Sequence, residues 1–272
     1  MTDRLFVLLP AAGRATRFSG PGEVPKQYQF IAGRTVLEWS LQAMRLMRPE
    51  RIVLAVADDD LRWQSLPDGC LAGVQVVAGG ADRAVSVLRA LSAIADVARA
   101  DDWALVHDVA RPCVTEAECV RLHAAIRLHP VGGVLAVPVA DTVKRGAHVG
   151  AALSADADAD AGAVAGAGYS TAMAGGVGAD VTESVQTIDR TMLWLAQTPQ
   201  QFRYGALVAA LESAMAVGVS VTDEASAMEL AGHRPLLVRG SLDNIKITWP
   251  DDLARAAGIL GRQLRAAHSV RV

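Results

Sequence analysis

A chain of 272 residues predicts one large domain, or one domain with an appendage, and its 51% hydrophobic content supplies a sizeable core. With only 4% aromatics, that core is expected to be built mostly from Ala, Val and Leu. A net charge of −3 gives no basis for nucleic-acid binding, no apolar run reaches the ~18–20 residues of a membrane span, and Cys70, Cys113 and Cys119 lack the spacing of a disulfide or zinc framework.

The apolar run Leu5–Leu9 reads as a first buried strand. It breaks into Pro10-Ala11-Ala12-Gly13-Arg14-Ala15-Thr16-Arg17-Phe18, with Pro25-Lys26-Gln27 just beyond. Small residues there let the backbone approach a ligand, and cations stand within reach, as in loops that hold phosphates. A nucleoside triphosphate site is expected. The short apolar run leads straight into Gly13, Arg14 and Arg17, so no signal peptide is expected and the location is cytoplasmic.

Thr35-Val36-Leu37-Glu38 has the form of a capping box, followed by Leu37, Leu41 and Met44 at helical spacing. Arg51–Ala57 and Val74–Val77 read as strands, the second ending in Gly79-Gly80 before a helix through Arg83, Val87, Leu91 and Ile94. Trp103–His107 is a fourth strand closed by Asp108, Thr115–Glu118 opens another helix, and Val134–Val139 returns to strand. This alternation predicts an α/β fold, a mostly parallel sheet with helices on both faces.

From about Gly146 to Glu183 the chain is nearly all Ala, Gly, Asp, Ser and Val. Without large apolar residues the segment cannot offset its ordering entropy, so it reads as a mobile insertion. Order resumes with strand-like Val185–Arg190, then Thr198-Pro199-Gln200, a helix through Leu207, Leu211 and Met215, and a helix opened by Thr222-Asp223-Glu224. Asn244–Thr248 is expected as a final strand before a closing helix that starts at Pro250.

Open α/β sheets bind ligands beyond the carboxyl ends of their strands. The Ala11–Arg17 loop, Gly79-Gly80, Asp108–Arg111 and Lys246 are all expected there. They offer small-residue loops, one carboxylate and several cations, which suits a nucleoside triphosphate with magnesium.

Pro10-Ala11-Ala12-Gly13, Arg17, Pro25-Lys26-Gln27-Tyr28, His107-Asp108, Ala110-Arg111-Pro112, Asp141-Thr142-Val143-Lys144, Thr198-Pro199-Gln200, Thr222-Asp223-Glu224-Ala225-Ser226 and Asn244-Ile245-Lys246 occur in this order. The ordered series resembles the 2-C-methyl-D-erythritol 4-phosphate cytidylyltransferase family over almost the whole chain outside the insertion. The resemblance implies a Rossmann-like single domain over 1–272, with a protruding β-arm at about 139–197 that carries the low-complexity insertion at about 146–183. It implies transfer of CMP from CTP to 2-C-methyl-D-erythritol 4-phosphate, with release of pyrophosphate, in the non-mevalonate isoprenoid pathway.

Carried over by position, Arg17 and Lys26 would stabilise charge at the α-phosphate, and Arg190 and Lys246 would aim the attacking phosphate. Pro10, Ala11, Ala12, Gly13, Gly80, Ser86 and Val109 would line the CTP half. Asp108 would stand between the two substrates beside the magnesium, or another divalent ion, that accompanies CTP. Arg111, Thr142, Arg190 and Thr198 would hold the methylerythritol phosphate. The family's β-arm clasps a second subunit, so a homodimer is implied, with Arg190 acting in the partner's site. Ala15 stands where the family usually has a second glycine, the spacer from Phe18 to Val24 is slightly longer, and Ala81 replaces an acidic residue.

Plainer readings stand beside these. Arg14 reads as solvated surface, His107 as structural support for Asp108, and Thr222-Asp223-Glu224 as a helix start. A ribitol 5-phosphate cytidylyltransferase has a similar nucleotide half, and a nucleotide-binding module without activity would keep the same loop. The convergence of Arg17, Lys26, Arg190 and Lys246 favours catalysis over binding alone.

Overall fold

The computed structural model of the chain describes residues 3–13, 18, 24–148 and 182–269. Arg17, and residues 149–181 of the expected insertion, lie outside the described residues. The first half of the chain forms β1 (Leu5–Pro10), β2 (Phe30–Ile31), β3 (Arg34–Thr35), α1 (Val36–Leu46), β4 (Arg51–Val56), β5 (Val74–Ala78), α2 (Arg83–Ser92), β6 (Trp103–Val106), α3 (Glu116–Ile126) and β7 (Gly132–Pro138). The second half forms β8 (Val143–His148), β9 (Thr182–Ile188), β10 (Trp194–Arg203), α4 (Tyr204–Ala216), α5 (Glu224–Leu230), β11 (Leu236–Arg239) and α6 (Asp252–Ser269). They divide into two compact units, Met1–Val137 with Trp194–Val272, and Pro138–Leu193.

The larger unit is built on a seven-stranded sheet in the order β11-β7-β10-β6-β1-β4-β5. β1 pairs in parallel with β4 and β6, β4 with β5, and β11 with β7, while β10 runs antiparallel to β6. Successive side chains of a strand face opposite ways, so β1 feeds two separate cores. Val7 and Leu9 pack with Leu37, Leu41 and Met44 of α1 and with Leu122 and Ile126 of α3. Phe6 and Leu8 pack on the other face with Val87 and Leu91 of α2, Leu207 and Leu211 of α4, and Met228 of α5. The mostly parallel α/β sheet read from the sequence is the observed fold.

The helices start where their caps dictate. Thr35 accepts from the Glu38 N–H at 3.2 Å while Glu38 Oε2 accepts from the Thr35 N–H at 2.7 Å. Thr115 and Glu118 repeat the box at α3, and the Asp82 and Asp223 side chains accept from Val85 and Ser226 at α2 and α5. These reciprocal bonds satisfy amide donors that the first helical turn leaves open.

The smaller unit is the antiparallel pair β8–β9, with Val143 opposite Ile188 and a register shift between Arg145 and Gly146. Gly146, Ala147 and His148 pair with Ser184, Glu183 and Thr182, so the edges of the expected insertion are strand. Besides the short pair β2 and β3, two strands of the main sheet that were not expected from the sequence also appear. β10 is ten residues long and contains the cis Thr198–Pro199 bond, and β11 closes the far edge of the sheet.

Leu8 is fully buried beneath α2, whereas Leu128 is 88% exposed. Urea denaturation should therefore show Leu8→Ala losing about 2–5 kcal/mol, and Leu128→Ala within about 0.5 kcal/mol of wild type.

Candidate active site

The parallel strands end at one edge of the sheet, and the chain segments that leave them meet there. The Ala11 N–H donates to the Ala55 carbonyl at 2.7 Å and the Gly79 N–H to the Val56 carbonyl at 2.6 Å, which carries the ladder one residue past β1 and β5. A Cβ on Gly79 would stand 2.4 Å from the Ala12 Cβ, so only glycine lets the two loops touch. The Gly80 N–H donates to Ser86 Oγ at 2.9 Å, and Ser86 Oγ donates to the Asp82 carbonyl at 2.8 Å, fixing that loop on the first turn of α2. Between these loops lies an open cleft. Pro10, Ala11, Ala12, Gly13, Gly80 and Ser86 line it, and so do Lys26, Asp108, Val109 and Lys246.

Asp108 is the electrostatic centre of the cleft. Its Oδ1 accepts from Arg83 Nε at 3.1 Å and Nη2 at 2.9 Å, and its Oδ2 meets Lys246 Nζ at 2.7 Å. Burial disfavours the charged carboxylate, but Arg83 and then Lys246 outweigh it and hold the group well below the usual carboxylate range. Arg83 reaches the Glu224 carboxylate with Nη1. Burial works against both charges of this pair: it pushes the Glu224 carboxyl up against the pull of Arg83, while at the guanidinium Glu224 and Asp108 overcome it and hold Arg83 cationic. In the sequence Arg83 reads only as part of a helix, and Glu224, though within the Thr222–Ser226 motif, reads as a helix start.

A layer of neutral bonds supports Asp108 from beneath. β10 is antiparallel to β6 with Gln200 opposite Val106, so Thr198 lies just past the end of β6. The Asp108 N–H donates to Thr198 Oγ1 at 2.9 Å, and that oxygen lies 3.1 Å from His107 Nδ1. His107 Nε2 lies 3.2 Å from the Arg111 carbonyl, which can only accept, so Nε2 carries the proton. His107 is fully buried, and burial lowers its pKa to about 4, with the pull of Asp108 opposing. The ring is thus neutral at pH 7, and the Thr198 hydroxyl donates to Nδ1.

The segment expected as a last strand, Asn244–Thr248, is instead irregular, a bend at Asn244 followed by coil over Ile245–Thr248. Its carbonyls are taken by cationic side chains rather than by a neighbouring strand. Arg111 Nη1 donates to the Asn244 carbonyl at 2.7 Å, and Lys26 Nζ donates to the Ile247 carbonyl at 2.9 Å. Fully buried Asn244 donates to the Thr198 carbonyl at 2.9 Å, and the Ile247 N–H to the Ala110 carbonyl at 2.8 Å. Ile247 sinks into a third apolar cluster with Trp39 and Ile259. Lys246 between these anchors is held toward Asp108. The closing helix also starts later than expected, at Asp252, whose carboxylate accepts from the Thr248 and Trp249 N–H groups at 2.9 Å.

The remaining expected residues lie elsewhere. Arg111 is directed at carbonyls of Asn244 and Ala196, and Thr198 is buried under Asp108; neither lines the cleft. Thr142 and Arg190 belong to the smaller unit, both exposed, at the hairpin end where Val143 faces Ile188. Arg190 Nη1 donates to the Ala140 carbonyl there. Among the described residues no group of three or more His, Cys, Asp or Glu side chains could hold a metal ion. Asp108 offers a single carboxylate with a cation against each oxygen. That donor set does not make a resident metal cage.

Comparison with known proteins places this geometry in a family. The family model described as 2-C-methyl-D-erythritol 4-phosphate cytidylyltransferase matches residues 5–160 and 147–262. A Pseudomonas aeruginosa relative of that name is 44% identical over 253 residues, which cover 92% of this chain and 93% of the relative. One from Paraburkholderia phytofirmans is 42% identical over 273 residues, covering 98% and 100%. A crystal structure of 4-diphosphocytidyl-2C-methyl-D-erythritol synthase superposes with a TM-score of 0.71 at 30% identity, over 96% of this chain and 100% of that one. The Francisella tularensis cytidylyltransferase superposes with a TM-score of 0.68 at 31% identity, over 94% and 99%. The chain belongs to the 2-C-methyl-D-erythritol 4-phosphate cytidylyltransferase family and is a nucleotidyltransferase.

His107 gives the site a pH signature. An unfolded histidine binds its proton near pH 6.5 and the folded one only near 4, so acid favours the unfolded chain across that window. From pH 7 to pH 4.5 this group should cost the wild type about 2–3 kcal/mol of stability. Denaturant titrations should show His107→Gln losing that much less than wild type over the same interval.

Proposed function

We propose that the cleft transfers CMP from CTP to 2-C-methyl-D-erythritol 4-phosphate and releases pyrophosphate, and that the loops lining it hold the nucleotide. The observation that carries this reading is the convergence of Lys26, Arg83 and Lys246 on one cleft floored by Pro10–Gly13, with Asp108 between them. Two anionic phosphates must meet for the reaction, and like-charge repulsion opposes them until fixed cations offset it.

An oxygen of the methylerythritol phosphate attacks the α-phosphorus of CTP, the new P–O bond forms, and the bond to the β-phosphate oxygen breaks. In this reading the backbone of Pro10, Ala11, Ala12 and Gly13 cradles the phosphates, and Gly80, Ser86 and Val109 shape the base and ribose side. Lys26 neutralises charge at the α-phosphate, joined by Arg17. Lys246 passes from the Asp108 carboxylate to the attacking phosphate, a partner exchange that its compact, strongly hydrated ammonium makes readily. Magnesium bound with CTP would supply further charge neutralisation on the phosphates, with Asp108 as its one protein oxygen. The second substrate is assigned to Arg111, Thr142 and Arg190, while Thr198, buried and bonded to the Asp108 N–H, would support that aspartate rather than touch the substrate. Arg190 and Thr142, at the base of the β8–β9 hairpin, are proposed to serve the partner subunit's site in a homodimer that works in the cytoplasm.

Pyrophosphate release should depend on CTP and 2-C-methyl-D-erythritol 4-phosphate together; turnover with ribitol 5-phosphate alone would overturn the assignment. Lys26→Ala should lower kcat by about 10²-fold or more while the KM for CTP changes by less than about threefold, because the charge is needed chiefly as the α-phosphate is attacked. Equal loss in both parameters would make Lys26 a ground-state binder.

Mixing separately inactive Lys26→Ala and Arg190→Ala proteins tests the dimer. A heterodimer in which Arg190 acts in trans contains one site with both side chains, so random exchange should restore about a quarter of wild-type activity. No recovery, with exchange verified by mass, would place Arg190 in its own subunit's site.

A further inference from the structure

We infer that Glu224 is a positioning residue for this transfer, acting through Arg83 to hold the Asp108 carboxylate in place; the inference rests on the reaction proposed above. Glu224 cannot touch a substrate, because it is 1% exposed and does not line the cleft. It is also unnecessary to its own helix. At the start of α5, Asp223 Oδ1 already accepts from the Ser226 N–H at 2.9 Å, and Gln200 Oε1 accepts from the Ala225 N–H at 2.9 Å.

The role that remains is toward Arg83, 141 residues away in the chain. Arg83 is the first residue of α2 and lines the cleft beside Gly80 and Ser86. A cation is disfavoured at a helix N-terminus, where the dipole is already positive. It is held there by carboxylates on two edges of its planar fork. One edge presents Nε and Nη2 to Asp108 Oδ1, and Nη1 on the other side meets Glu224 Oε1. With both edges engaged the guanidinium cannot rotate, so Oδ1 of Asp108 is fixed and only Oδ2 is left for Lys246. A buried ion pair is a poor device for stability alone, since desolvation offsets its attraction, and a better one for fixing geometry. Without Glu224, Arg83 becomes a loose cation in the cleft. Asp108 is then no longer held, and the handover of Lys246 to the incoming phosphate loses its reference point.

The experiment compares wild type, Glu224→Gln, Arg83→Gln and the double variant. Glu224→Gln keeps the side-chain volume and an acceptor while removing the charge. It should lower kcat about tenfold with the KM for CTP within about threefold, and add nothing further in the Arg83→Gln background. Independent, additive losses would overturn the inference. So would an effect confined to melting temperature, or wild-type kcat in Glu224→Gln. If Glu224→Gln alone does not fold, Arg83→Gln and the double variant, which removes both buried charges, decide by whether their turnover is equal.

A second readout needs no turnover and separates this inference from the reaction assignment. In 15N spectra the Arg83 Nε–H signal, identified by its loss in Arg83→Lys, should be sharp and slow to exchange in wild type and should broaden or exchange rapidly in Glu224→Gln. An unchanged signal would overturn the inference even if the wild type makes the product. Absence of turnover in wild type would overturn the reaction and leave the positioning of Arg83 to be judged by this signal.

Discussion

A buried carboxylate that stays charged is the constraint around which the larger unit is arranged. Asp108 sits at the end of the central strand β6, screened from water, and it keeps its charge because Arg83 and Lys246 are brought to opposite oxygens. Those partners come from distant parts of the chain. Arg83 arrives on the first turn of α2 after the Gly79-Gly80 loop, and Lys246 on the coil before α6. The parallel sheet ends its strands together, the close approach of Gly79 to Ala12 keeps the loops flush, and the coil is pinned by Asn244 and Ile247. Each feature would be a minor detail alone. Together they place cations around one anion before any ligand enters.

The layer under Asp108 shows why His107 is neutral. A protonated imidazole there would add a fourth positive group beside Arg83, Arg111 and Lys246 without a solvent path to disperse it. Burial removes that option, and the neutral ring then joins the Thr198 hydroxyl to the Arg111 carbonyl. Asp108 therefore gains a backbone hydrogen bond from below and charge partners from the sides. Its position is fixed by groups that do not compete for the same oxygens.

Most of the sheet could be read directly from the residues, because runs such as Phe6–Leu9 and Ile52–Val56 are apolar throughout, as strands buried on both faces must be. The caps at Thr35 and Thr115 were legible for the same local reason. β10 was hidden: Gln197, Gln200 and Gln201 are buried polar residues, and Pro199 interrupts what would otherwise read as strand. Only the fold supplies their partners, such as Gln200 to Asp223 and Ala225. The alternation of Ile245, Lys246 and Ile247 misled in the other direction. It mimics a half-buried strand, but Ile247 is satisfied by packing against Trp39 and α6 and by a bond from Lys26 to its carbonyl. The cleft lining around Pro10–Gly13, Lys26, Gly80 and Asp108 was legible by motif. Arg83, and the role of Glu224 within its motif, were not, since an ion pair between residues 141 positions apart leaves no trace in either local pattern.

The alternating order Glu224, Arg83, Asp108, Lys246 also explains how several cations can be gathered at one site. Cations gathered side by side repel one another, and that repulsion would spread them or draw them onto solvent. Interleaved carboxylates remove the repulsion at fixed distances and leave each cation near its working position. In the proposed reaction the arrangement has a cost, since an incoming phosphate would have to compete with Asp108 for Lys246. That competition is balanced in the phosphate's favour only if Asp108 does not follow the departing lysine. Arg83, held by Glu224 behind it, is the group that keeps Asp108 where it is. The buried pair thus converts a static charge cluster into one with a single exchangeable member, Lys246, at the oxygen that faces the cleft.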